Sequence, residues 1–93
     1  MINFEWDPAK AELNMEKHGV AFDEACSVFQ DPYHREQMDE FHSTQEEVRF
    51  ISIGKSNLRR ILVVANCDRG DNIRIYSARL ATAREVKFYE KQE

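Results

Sequence analysis

Arginine is the residue type whose placement in this chain points most directly to chemistry. Arg74 lies inside the run Ile73-Arg74-Ile75-Tyr76-Ser77, and Arg79 follows it just before the last predicted helix. A guanidinium between two isoleucines of a strand must be paired or wetted, because an unpaired charge away from water is strongly disfavoured. It also carries a fixed fork of donors that matches phosphate oxygens, and it stays charged at any working pH. Glu47 and Arg49 stand two apart and share a strand face, with Ile51 and Ile53 further along. Strict alternation puts Arg74 and Tyr76 on one face and Ile73, Ile75 and Ser77 on the other. Two readings fit: a phosphate-binding surface, or a Glu47–Arg49–Arg74 ion-pair network that satisfies the open face of a sheet.

Other groups have the same double meaning. Lys10 and His18 fall on the first predicted helix. They can supply a phosphate contact and a proton-transfer group, since imidazole titrates near neutrality. They are equally a solvated lysine and a helix-terminal histidine that steadies the dipole. Tyr89 can donate a proton to a phosphate or fill core. His18, His34 and His42 lack His-x-x-x-His spacing and no clustered cysteines accompany them, so no metal site is expected. There is no glycine-rich phosphate loop and no Gly-x-Ser-x-Gly elbow, and no cofactor is expected. Cys26 and Cys67 show no CxxC spacing and are expected as inert thiols.

The elements that must position these groups are legible in outline. Residues 2–6 alternate as a short strand does. Asp7-Pro8 opens a helix that Gly19 closes, with Trp6 as a hydrophobic anchor against it. Phe22, Ala25, Cys26 and Phe29 form a helical stripe over 22–30, stopped by Asp31-Pro32. Residues 33–41 are expected as an exposed edge strand and 42–46 as a loop. Three strands follow: Val48–Ile53, Arg60–Asn66 around a continuous apolar run, and Asn72–Ala78, with turns at 54–57 and 67–71. Thr82 and Glu85 form a capping box for a last helix. The predicted fold is α+β: two N-terminal helices packed on one face of a mostly antiparallel four- to five-stranded sheet, plus a C-terminal helix.

Ninety-three residues, 42% hydrophobic and 32% charged, suit a single domain over 1–93. No apolar run approaches the roughly 18 residues of a membrane span, and the N-terminal residues lack a signal-peptide profile. A cytoplasmic location is expected, with no membrane contact. The net charge of −4 is unevenly spread. Residues 1–47 carry twelve acidic side chains against three basic ones; residues 48–93 carry ten basic against five acidic. That asymmetry suggests a basic working surface beside an acidic one.

Taken together, Phe4-Glu5-Trp6-Asp7-Pro8-Ala9-Lys10, Asn14, Lys17-His18-Gly19-Val20, Phe22-Asp23-Glu24-Ala25 and Val28-Phe29-Gln30-Asp31-Pro32 resemble the BrnT toxin family. The second half adds Glu47, Arg49-Phe50, Ile53-Gly54-Lys55-Ser56, Leu62-Val63-Val64, Arg74-Ile75, Ser77-Ala78-Arg79, Thr82, Arg84-Glu85 and Tyr89. The resemblance spans nearly the whole chain. It implies a RelE-like fold and a ribonuclease toxin of a type II toxin-antitoxin pair. It also implies a BrnA-like antitoxin partner that neutralises the toxin and carries the DNA contact of the complex. For a metal-independent ribonuclease, Arg74 and Arg79 would hold the phosphate with Arg49 assisting, and Glu47 would be the base or the group orienting Arg49. Lys10 and His18 would serve binding and proton transfer, and Lys55, Tyr76, Arg84 and Tyr89 would contact RNA. The competing reading is a non-catalytic partner-binding module that acts as co-repressor.

Overall fold

The computed structural model describes residues 2–91. β1 (Asn3–Glu5) leads into α1 (Pro8–His18) through Asp7, whose carboxylate accepts the Ala9 N–H at 2.9 Å. Pro8 occupies the first turn, where a missing donor is no loss. Gly19 ends α1 at φ +67°, a backbone geometry that a side chain would strain. α2 (Phe22–Ser27) begins at Ala21 without a side-chain cap and tightens into a 3₁₀ turn, Val28–Gln30, before Asp31. β2 (Arg35–Met38), β3 (Arg49–Lys55), β4 (Ile61–Arg69), β5 (Asn72–Leu80) and α3 (Ala83–Glu90) complete the chain. Among the described residues no helix is long and apolar enough to cross a membrane.

One five-stranded sheet runs in the order β1-β5-β4-β3-β2. β2 to β5 form the antiparallel meander expected, with β2 as the edge strand. β1 adds a parallel partner at the other edge, along the first half of β5, so the sheet is mixed. Several boundaries differ from expectation, and the edge strand expected over 33–41 spans only Arg35–Met38. β3 continues through Gly54 and Lys55, which still pair with Leu62 and Ile61. A Cβ at Gly54 would meet His34 and Val28 at 2.8 Å, so glycine here admits close packing rather than a turn. β4 runs on to Arg69, leaving only Gly70 and Asp71 for the reversal, and β5 extends to Leu80.

The most consequential departure is a bulge. Ala65 pairs with Ser77 and Asn66 with Ile75, which leaves Tyr76 as an extra residue in β5. The bulge changes the phase of everything after it. Ile73, Ile75 and Ala78 all belong to the core under α1 and α2, with Leu62, Val64, Val20, Phe22, Ala25 and Val28. Arg74 and Arg79 therefore both face the other way. They are five residues apart, and a regular strand would put them on opposite faces. Ser77 joins them on the open face, which corrects its expected grouping with Ile73 and Ile75. α3 covers part of that face, with Tyr89 packed on Ile53 and Val63.

On the β1 side, the second half of β5 has no strand neighbour. Asn14 of α1 takes that place. Its amide nitrogen donates to the Ala78 carbonyl (2.8 Å) and the Val20 carbonyl (2.9 Å), and its amide oxygen accepts the Ala78 N–H (3.1 Å). Glu24 ties α2 to the β3–β4 turn, accepting from Ser56 Oγ (2.7 Å) and from the Arg60 guanidinium. Asn14→Ala would strand three buried backbone groups, each disfavoured by about 1–3 kcal/mol when unpaired. Chemical denaturation should show a loss of about 3 kcal/mol with an unchanged m-value; a loss below about 1 kcal/mol would mean that water replaces the amide.

Candidate functional site

On the open face, Arg49, Cys67, Arg74 and Glu5 stand opposite one another across four neighbouring strands, β3, β4, β5 and β1. The bulged Tyr76 lies over this row. The Arg49 guanidinium sits 4.0 Å from its ring centroid, Lys10 Nζ of α1 5.5 Å and the Arg74 guanidinium 6.0 Å. Three cations thus surround one aromatic ring, an arrangement its quadrupole favours. The Tyr76 hydroxyl donates to Glu47 Oε1 at 2.6 Å, and the Cys67 thiol is 3.2 Å from that hydroxyl. Burial is the main cause that pushes the Tyr76 phenol up to about 12. The Tyr76 hydrogen bond, followed by those from Cys67 and Arg49, holds the Glu47 carboxyl below its ordinary value.

Three arginines of the face have carboxylate partners, whereas Arg35 stacks on the Phe88 ring and donates to the Phe88 carbonyl. Arg49 Nε donates to Glu47 (3.3 Å), Arg74 to Glu5 (2.7 Å), and Arg79 to both oxygens of Glu85 (2.8 and 2.9 Å). Glu47 and Glu5 come from the acidic half of the sequence. The expected basic surface beside an acidic one is therefore not what forms; acidic and basic residues interleave. The pairing still leaves guanidinium donors in reach of solvent, with the Arg49, Arg74 and Arg79 side chains 31%, 26% and 41% exposed.

A depression of about 270 Å³ opens beside the Tyr76 cluster. Ile51, Ala65 and Ser77 are its floor, and Arg49 with Tyr76 and Arg79 line it together with Asp39 and His42. Sequence reasoning missed these last two. Nothing in their spacing marks them, since they meet through the loop that links β2 to β3. Of the residues nominated from sequence, the structure gathers Lys10, Glu47, Arg49, Arg74 and Tyr76 into one cluster and sets Arg79 on the same depression as Arg49. It does not bring in the others. His18 ends α1 and has no hydrogen bond or ion pair to these groups. Lys55 closes β3, its N–H donating to Asp31. Arg84 lines a separate groove beside α3 with Arg35 and Phe88. Tyr89 is buried, its hydroxyl bonded to Asp31, and burial is the first cause that raises it to about 12. Among the described residues, no three His, Cys, Asp or Glu side chains gather as metal ligands would. Both cysteines are free thiols, and burial raises Cys26 to about 11.

The architecture is a small α+β fold with a five-stranded mixed sheet and three helices. It is similar to the crystal structure of the ribonuclease toxin BrnT of Brucella abortus, with a TM-score of 0.59 at 22% identity, covering 88% of this chain and 99% of that one. In sequence, residues 6–85 match the family model for the ribonuclease toxin BrnT of type II toxin-antitoxin systems, and the chain belongs to that family. No curated protein matches it in sequence.

The Arg79–Glu85 pair generates a pH prediction. The paired guanidinium is the first cause that pulls the Glu85 carboxyl from 4.5 to about 2. A depressed carboxyl stabilises the fold above its unfolded value, and that contribution is lost as pH falls through the folded value. The stability of the native chain should therefore drop between pH 4.5 and about 2. In Glu85→Gln the drop over that window should be shallower, as read from thermal midpoints along an acid series. Parallel acid profiles would show that the pair contributes nothing to folding.

Proposed function

We propose that this chain is an endoribonuclease toxin that cuts RNA without a metal, in the manner of RelE-like enzymes, and so inhibits translation. The observation that carries the reading is the pair of guanidiniums, Arg49 and Arg79, lining one open depression with Tyr76. Metal-free RNA cleavage uses the 2′-hydroxyl as nucleophile, and fixed cations must meet the charge that develops on phosphorus. Arg49 and Arg79 would hold the non-bridging oxygens. Arg74 and Lys10, on either side of Tyr76, would bind the neighbouring phosphates. Glu47 serves better as the group that orients Arg49 and Tyr76 than as a base, because its oxygens are engaged and its proton affinity is reduced. The single-contact pairs Arg49–Glu47 and Arg74–Glu5 are half-exposed, where solvent weakens a pair, so a phosphate can displace them; on Arg79 it would share the guanidinium with the two-point Glu85 contact.

A BrnA-like antitoxin would neutralise this activity, with DNA contacted only through the complex. On this reading the protein acts in the cytoplasm and contacts no membrane. The charge pairing of Arg49, Arg74 and Arg79 gives a second reading some support: a non-catalytic module that binds its antitoxin and acts as co-repressor. Expression without antitoxin separates the two. Growth arrest with transcript loss supports the nuclease, and normal growth with promoter repression supports the module.

Arg49→Ala and Arg79→Ala should each lower cleavage by at least about 100-fold, the usual effect of deleting one preorganised charge. The melting temperature should stay within a few degrees for Arg49→Ala. EDTA should leave cleavage unchanged; inhibition would count against guanidiniums as the only cations at the phosphate.

A further inference from the structure

The loop between β2 and β3 is fastened at its mouth. The Asp39 N–H donates to the Arg49 carbonyl at 2.8 Å. Ser43 Oγ donates to the Asp39 carbonyl (2.6 Å) and accepts the Arg49 N–H (2.8 Å). Within this frame the His42 N–H donates to Asp39 Oδ1 (3.3 Å) and His42 Nδ1 to Asp39 Oδ2 (2.8 Å). The Asp39 side chain is 11% exposed and the His42 ring 67%. A carboxylate can only accept, so Nδ1 carries the hydrogen. The neutral ring then keeps a free lone pair on Nε2. A carboxylate behind an imidazole fixes its tautomer and steadies the imidazolium that forms on proton uptake.

We propose that His42, held by Asp39, is the general base that takes the 2′-hydroxyl proton in the Arg49–Arg79 depression. The assignment rests on the ribonuclease reading above and names a group that reading lacked. The titratable and charged groups facing the depression are Asp39 on the loop, Arg49 of β3, and Tyr76 and Arg79 of β5. Tyr76 is committed to Glu47, and its raised value makes the phenolate scarce at neutral pH. Asp39 is committed to His42. The imidazole is the lining group with an accessible lone pair.

Nε2 removes the 2′-hydroxyl proton, and the 2′-oxygen bonds to phosphorus. The bond from phosphorus to the 5′-oxygen breaks, and that oxygen takes a proton from water. The hydroxide left behind takes the imidazolium proton, returning His42 to its neutral form. The products are a 2′,3′-cyclic phosphate and a 5′-hydroxyl strand.

The test uses the full chain, in vitro transcribed messenger RNA as substrate, and a 2′-deoxy oligonucleotide as uncleavable ligand. His42→Ala and His42→Gln should lower kcat by about 100-fold or more with unchanged oligonucleotide affinity and melting temperature. The pH–rate profile of the native chain should fall on its acid side, and that limb should be absent from both variants. Free imidazole should restore part of the rate to His42→Ala, and Asp39→Asn should lower kcat without weakening affinity. If the native chain cuts RNA in an Arg49-dependent manner while the His42 variants retain full rate and the acid limb, His42 is not the base and the nuclease reading stands alone. If the native chain leaves RNA intact, both fall together.

Discussion

The Asn14 side chain is the contact on which the remaining geometry depends. A sheet edge inside a protein must find partners for its N–H and C=O groups or lose free energy at each one. β1 supplies partners to only the first three residues of β5. One amide then substitutes for a missing strand at Ala78 and also holds the Val20 carbonyl where the chain turns from α1 into α2. Helix, turn and strand are thereby fixed relative to one another. Lys10 lies one turn earlier on the same helix, so the amide that closes the sheet edge also sets how near Lys10 comes to Tyr76.

The electrostatics follow from where the carboxylates originate. The first half of the chain is acidic and the second basic, yet Glu5, Glu24 and Glu47 reach across to Arg74, Arg60 and Arg49. These pairs differ in setting. Glu24 is buried at 6% exposure, is held below its ordinary value chiefly by Arg60, and fastens α2 to the β3–β4 turn. Glu5 and Glu47 are half-buried at the rim of the open face, where solvent and salt weaken a pair more than they do at Glu24. The same pairing chemistry thus fastens elements on one side of the sheet and leaves its groups half-exposed on the other.

Much of the fold could be read from residue order. The Asp7-Pro8 cap, the Gly19 stop, the Thr82–Glu85 box and the edge strand near residue 35 are local signals with local causes, and all form. Gly54 misled because a glycine that admits a neighbour looks the same in sequence as one that turns the chain. Parallel pairing of β1 with β5 depends on residues nearly seventy positions apart, and no local pattern encodes it. The site was half legible. Arg49, Arg74 and Tyr76 follow from alternation, but Arg79 reaches the open face only through a bulge that alternation cannot foresee. Asp39 and His42 come together through a loop closure made by the Ser43 hydroxyl, and a hydroxyl in a polar stretch gives no warning of that role.

Tyr76 is supernumerary to the ladder that carries it. Remove that one residue and Ile75 and Ser77 become consecutive, already on the faces they occupy now, so the strand stays in phase on both sides. Remove a residue elsewhere within β5 and one half of it turns over, sending apolar side chains to solvent. Within β5 the ladder is thus indifferent to length at Tyr76, and that position holds the ring around which the cations gather. In this domain the sheet can be healed and the cation cluster undone by the same deletion.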